Sequence, residues 1–515
     1  MNNLPSEIIC YILNYLEDTI DVFNFSLTNK TNRKIILENR DTFNCTKTLD
    51  NKYINEISKL DIIGKLKVKI KFNSNIKDVS MLSKCIEIDI NECINVKDVS
   101  MLGNVKILKL RFCKEITDVS MLGNVEELDL INCVRITDVS NLRKVKKLNL
   151  SYCYNISDVS MLGDVEELNL SGINLNLNLN LYTKVKKLTL SHCQNIVDVS
   201  MLGNCEELDL SYCNGIIDVS KLGKVKILNL SGCLISDVSM LGEVEKLNLS
   251  SCINIVDVSN LGNCKELDLS HCSKINDVSM LGNVKKLDLS CCDLISDVNN
   301  LGNCEELDLK FCNGVTNVSM LGRVKKLNLS YCMNIIDVSA LGNCVKLNLT
   351  GCRNIRDFSM LGNVYKLNLS YCKNLKDVSM LGNVKKLDLS WCINIRDVSA
   401  LGNCERLNLS GCIKVKDVST LGNVMVLILY NSNISDVSAL RNVKKLYLSG
   451  CENISDVSNL GNCEELDLSE CINVSDVSML GNVKNLDLSG CINISDVSML
   501  GNVKNLDLSG CINIK

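Results

Sequence analysis

Proline is almost missing from this chain: Pro5 is the one proline in 515 residues, which excludes a Pro-rich linker. Histidine is nearly as scarce, and with His192 and His271 alone a Ser-His-Asp or histidine-metal mechanism has little to work with. No run of about eighteen uninterrupted apolar residues occurs, so a membrane span is not expected. Neither sign of charge dominates. The 56 basic residues face 60 acidic ones, and a net charge of −4 supplies no global basic field for nucleic acid or an anionic membrane. Glycine-rich phosphate-binding motifs are absent as well. Met1 to Leu16 contains Pro5 and Glu7 but no basic leader and no small-residue cleavage site, so it does not read as a secretion signal. A cytosolic or nuclear location is expected.

What the chain has in abundance is one unit copied end to end. Aspartates recur every twenty residues at Asp78, Asp98, Asp118, Asp138, Asp158, Asp198 and Asp218, then from Asp237 through Asp297 and from Asp337 to Asp417. Asn317 fills one slot, the slot at Asn178 looks damaged, and two units run one residue short, which shifts the last anchors to Asp436, Asp456, Asp476 and Asp496. Length alone predicts three or four domains at about 100–200 residues each. The repeat reduces this to one long array and a small N-terminal appendage. The boundaries read as 1–40 for a helical appendage, 41–75 for a linker and degenerate first repeat, and 76–515 for the array.

Within one unit the apolar positions are Val105, Leu108, Leu110, Cys113, Ile116, Val119 and Leu122. That is the leucine-rich-repeat pattern. The alternation around Leu108 and Leu110 makes a short strand with its leucines inward and Ile107, Lys109 and Arg111 outward. Seven apolar side chains cannot offset the entropy of ordering twenty residues, so a unit is stable only when stacked on neighbours. The expected fold is an α/β-type repeat solenoid of coils about twenty residues long, with a parallel concave sheet. Coils this short leave room for turns or single 3₁₀ turns on the convex side, and Gly103 and Asn104 are the natural places for positive φ.

Thirty cysteines would suggest disulfides in a secreted chain, but these follow the repeat. Twenty of them, from Cys93 to Cys511, sit three residues after the second strand leucine. A thiolate metal chain is the chemical alternative, since stacked strands place equivalent residues about 4.8 Å apart. Ile173 in the same slot cannot bind metal, and the simpler reading is a thiol turned inward onto neighbouring backbone. Seven more cysteines, including Cys205 and Cys344, replace a recurrent valine and act as small hydrophobes. His192 and His271 lie four repeats apart, about 19 Å, and cannot share a ligand. No metal and no cofactor is expected.

Residues 4–33 do not repeat. Ile8, Ile9, Ile12, Leu13 and Leu16 form a helical stripe with Pro5 tolerated in its first turn, and Val22, Phe23, Phe25 and Leu27 suggest a second, shorter helix. Leu4, Pro5, Glu7, Ile8, Ile12, Leu13, Leu16, Asp21, Val22, Ser26 and Leu27 together resemble an F-box, with a departure at Asn32 where many F-boxes have tryptophan. With the repeats, the chain is similar to the F-box and leucine-rich-repeat proteins of amoeba-infecting giant DNA viruses. The resemblance implies a small all-α domain whose Leu4, Pro5, Glu7, Ile8, Ile12, Leu13, Leu16 and Val22 dock a Skp-type adaptor of a cullin-RING ubiquitin ligase. It also implies that the repeats hold an unknown protein target for ubiquitin transfer, with no chemistry done by the chain itself. The alternative is a scaffold or decoy that recruits no ligase.

On the outward strand face, Glu127, Lys147, Glu167, Lys187 and Glu207 alternate in sign and compensate one another. Further along, Lys326, Lys346, Lys366, Lys386 and Arg406 form an unbroken basic column. Beside it stand Tyr331, Tyr371 and Trp391, followed by an apolar break at Val426, Ile428, Tyr430 and Tyr447. Aromatic and apolar anchors next to cations have the make-up of a binding hot spot, and an acidic or phosphorylated segment is the expected ligand.

Overall fold

The computed structural model describes residues 67–69 and 76–514. They fall into two compact units, the first ending at Asn248 and the second beginning at Leu249. Each is a leucine-rich-repeat solenoid with one three-residue strand per coil. Among the described residues the first unit carries β1 (Lys67–Lys69) through β10 (Lys246–Asn248), and the second β11 (Glu266–Asp268) through β23 (Asn505–Asp507). Within each unit neighbouring strands run parallel and in register, as in Leu108 against Leu128 and Leu387 against Leu407.

The period-two alternation works as expected: Leu108, Leu110, Leu387 and Leu389 are fully or almost fully buried while their neighbours face outward. Opposite the strand, each coil returns through a 3₁₀ turn such as Ser100–Leu102 or Ser399–Asn403. The repeated aspartate starts that turn. Asp98 Oδ1 accepts the backbone N–H of Ser100 at 2.9 Å, and the same bond recurs at Asp277, Asp377 and Asp476. An amide serves equally well: Asn317 accepts from Ser319 at 3.0 Å, and Asn178 caps the turn Leu179–Tyr182 through Asn180. The slot at Asn178 is thus intact as a turn. Tyr182 fills the leucine position of that coil and donates its hydroxyl to the Val159 carbonyl at 3.0 Å.

Positive φ does not fall where the glycines suggested. Gly103 is right-handed, at φ −62, and Asn104 is not among the positive-φ residues. Gly103 is closely packed, since a Cβ there would lie 2.1 Å from the carbonyl oxygen of Met121 on the next coil. The left-handed position is instead the residue before the ladder cysteine, as at Phe112, His192, Tyr371 and Trp391, all with φ near +60. Coil geometry imposes that turn whatever side chain is present.

The ladder cysteines turn inward. Cys113 Sγ lies 3.2 Å from the Ile90 carbonyl and Cys272 Sγ 3.1 Å from that of Leu249, a contact repeated coil after coil. Burial pushes the Cys113 thiol up to about 12, which leaves it protonated and unreactive at neutral pH. Ser432 occupies the same slot and meets Cys451 Sγ at 3.3 Å. The two short coils keep their strand register, Ile227 against Lys246 and Val426 against Lys445. The missing residue comes out of the turn after the ladder position, where Cys233-Leu234-Ile235 stands in place of a four-residue link.

Candidate functional site on the sheet face of the second unit

Each coil shows the sheet face two strand positions, the first and the third. The third is tied to the fold: Asp209, Asn328 and Asp388 each accept the backbone N–H of the serine two residues on, at 2.9, 3.1 and 2.9 Å. The first position is free to vary, and its charges distinguish one part of the surface from another.

In the first unit those charges pair across strands. Lys147 bridges Glu127 and Glu167 at 3.3 and 3.6 Å, and Lys187 meets Glu207 at 2.9 Å. The trough they line, about 610 Å³ between Ile107 and Asn229, is therefore electrically self-compensated. Pairing continues into the second unit at Lys286 with Glu266 and Lys326 with Glu306, and returns at Lys445 with Glu465. Between these lie β15 (Lys346–Asn348), β16 (Lys366–Asn368), β17 (Lys386–Asp388) and β18 (Arg406–Asn408). Register places Lys346 beside Lys366, Lys366 beside Lys386 and Lys386 beside Arg406. Among the described residues no carboxylate comes within 4.0 Å of any of these four cations. Lys386 instead lies 5.6 Å from the ring centroid of Tyr365.

The flanks of this strip differ. On the earlier coils the third position is acidic at Asp268, Asp288 and Asp308, and burial, joined by the two neighbouring carboxylates, holds the Asp288 carboxyl above its ordinary range despite its bonds to Ser290. Across the strip it becomes amide at Asn348, Asn368 and Asn408; Asp388 is the exception, its carboxylate taken up by Ser390 and by Asn408 at 3.2 Å. On the later coils the face turns apolar. Val426, Tyr430 and Tyr447 are partly exposed, but Ile428, expected as an anchor, is buried at only 7% exposure, at the strand position beside Tyr447. The Tyr430 and Tyr447 rings meet edge to face at 6.1 Å, and the Tyr447 hydroxyl donates to Glu465 at 2.6 Å. Burial first, then that carboxylate, pushes the Tyr447 hydroxyl up to about 12.

Tyr371 and Trp391, in the turns that follow β16 and β17, are 41% and 43% exposed. Their rings stack at 6.1 Å and 11°, and Trp391 lies over Gly411, where a Cβ would come within 2.8 Å of the indole. Phe311 stacks on Tyr331 at 4.9 Å, and Tyr331 covers Gly351 in the same way. In the first unit His192 stacks on Tyr212 at 4.8 Å, and Tyr212 covers Gly232. Strand register sets Lys346, Lys366, Lys386 and Arg406 side by side, Tyr371 and Trp391 stack on each other, and Lys326 is set apart by its ion pair to Glu306. Tyr365 and the glycine seats were missed. An aromatic residue followed one coil later by glycine is the signal that would have found the seats.

The expected adaptor-binding residues, Leu4, Pro5, Glu7, Ile8, Ile12, Leu13, Leu16 and Val22, lie outside the described residues. Among the described residues no helix is long and apolar enough to cross a membrane, and no group of three or more His, Cys, Asp or Glu is placed to hold a metal ion.

Comparison with known proteins gives two findings. Residues 1–44 match the F-box domain family. The fold resembles that of TLR13 in its complex with ssRNA13, at 17% identity and a TM-score of 0.51, covering 88% of this chain and 90% of that one. A leucine-rich-repeat protein of Leptospira interrogans is similar at 18% identity and a TM-score of 0.43, over 70% of this chain and 95% of its own. An internalin of Listeria monocytogenes is similar at 20% identity and a TM-score of 0.31, over 68% and 88%. No curated protein matches. The chain therefore joins an F-box domain to a leucine-rich-repeat fold.

Proposed function

We propose that this chain is a non-catalytic adaptor that acts as the substrate receptor of an SCF-type cullin-RING ubiquitin ligase. The observation that carries this reading is the F-box match at residues 1–44 ahead of a leucine-rich-repeat fold. The F-box docks a Skp-type adaptor through Leu4, Pro5 and the apolar stripe from Ile8 to Leu16, and the sheet face around Lys346 to Arg406 holds a protein target. The contribution to catalysis is proximity: tethering raises the effective concentration of target near the conjugating enzyme.

The test is co-purification of the full chain with a eukaryotic Skp adaptor and cullin, with and without Leu4→Ala and Pro5→Ala. Capture by the unaltered chain and its loss in the double variant is the expected result. An unaltered chain that captures neither protein leaves a protein-binding scaffold without ligase recruitment.

A further inference from the structure

Along the first strand position the described cations find carboxylates on neighbouring coils at Lys147, Lys187, Lys286, Lys326 and Lys445, yet Lys346, Lys366, Lys386 and Arg406 follow one another with no such partner. Like charges on adjacent strands destabilise a sheet, and a single Lys366→Glu change would give both Lys346 and Lys386 a carboxylate on the adjacent strand. A stretch that forgoes available stabilisation is the expected mark of a binding surface. Beside it the third position is amide at Asn348, Asn368 and Asn408, and the Asp388 carboxylate is engaged by Ser390 and Asn408.

The face is also ordered along the stack: carboxylates at Asp268 to Asp308, then the cations, then Val426 and Tyr447. We propose that it recognises an extended acidic segment of a partner protein, with its carboxylates over Lys346, Lys366, Lys386 and Arg406 and an apolar side chain against Val426 and Tyr447. This assignment rests on the sheet face of the second unit being the target-binding surface. Three strand spacings of about 4.8 Å span about 14 Å, or about four to five residues of extended chain, and the apolar residue falls about two or three positions further on. The acidic coils exclude the segment from the opposite side.

Carboxylates fit better than a single phosphate. The charges are spread one per coil and mostly on lysine, with one guanidinium, whereas a phosphate site gathers its donors, commonly as arginine forks. Single-stranded nucleic acid fits less well, because bases need open ring faces. Here Tyr371 is stacked on Trp391, and Trp391 lies on Gly411.

The test uses the full chain and a labelled peptide of five glutamates with a leucine three residues beyond. The comparison ligands are the same peptide with serine for leucine, a neutral peptide carrying one phosphoserine, and an oligouridylate of equal charge. The glutamate-leucine peptide is expected to bind most tightly, with a change in Trp391 emission, the chain's one tryptophan. Lys346→Glu/Lys366→Glu/Arg406→Glu should weaken it about tenfold or more. Lys366→Glu alone should weaken binding without lowering the melting temperature, an outcome that misfolding cannot mimic. Tighter binding of the phosphopeptide or the RNA, or no effect of the triple change, overturns the proposal. Selection from a random peptide library separates the two levels. Neutral or basic peptides whose binding the triple change abolishes would overturn the acidic assignment and leave the target-binding face standing, whereas no peptide dependent on this face would remove both.

Discussion

Trp391 occupies a left-handed backbone position, φ +61, and lies flat over Gly411, φ +68. The conformation alone does not demand glycine, because tyrosine, phenylalanine, histidine and cysteine occupy the equivalent place on other coils. What Gly411 supplies is a floor without a Cβ, and a methyl there would come within 2.8 Å of the indole. Gly411→Ala is expected to lift the ring, red-shift its emission and cost about 1–3 kcal/mol through the combined strain. Urea unfolding followed by tryptophan fluorescence checks both. An unchanged spectrum and midpoint would mean that the ring is not seated there.

At the scale of the element, the unit that repeats is an Asx turn leading into a 3₁₀ turn. The Ser379 backbone N–H, then its side chain, holds the Asp377 carboxyl below the ordinary carboxylate range, and the same holds at Asp98, Asp158, Asp277 and Asp476. A carboxyl lowered in the folded state stabilises it above the unfolded value of about 3.9, and that contribution is lost as pH falls through the folded values. Because the coils share the feature, thermal stability is expected to fall steeply on acidification from pH 5 to pH 2, as calorimetry would show. Asp377→Asn should leave the turn in place, as Asn317 does naturally through its bond to Ser319, and should remove that one coil's share of the acid sensitivity. Loss of folding in this variant at pH 7 would show that the charge, and not the acceptor oxygen, is required.

For the whole molecule, a stack in which each coil touches its neighbours transmits damage locally. Leu387 is buried in β17, and Leu387→Ala should cost about 2–5 kcal/mol. Hydrogen exchange is expected to report that loss in β16, β17 and β18, with the strands of the first unit protected as before. A uniform loss of protection would mean that the two units unfold as one.

The sequence by itself was enough for the fold, because a short pattern copied at fixed spacing leaves one arrangement in which the leucines can be buried. It also held the order of charges on the outward face, since in-register parallel strands turn positions twenty residues apart into neighbours. Only the tertiary structure decided which of those residues are available. Ile428 reads as an exposed apolar anchor but is buried, Lys326 reads as part of the basic column but is paired with Glu306, and Gly103 reads as a left-handed turn but makes room for the Met121 carbonyl. Burial, pairing and clearance depend on what the adjacent coil places against a residue, and they appear only when the coils are stacked.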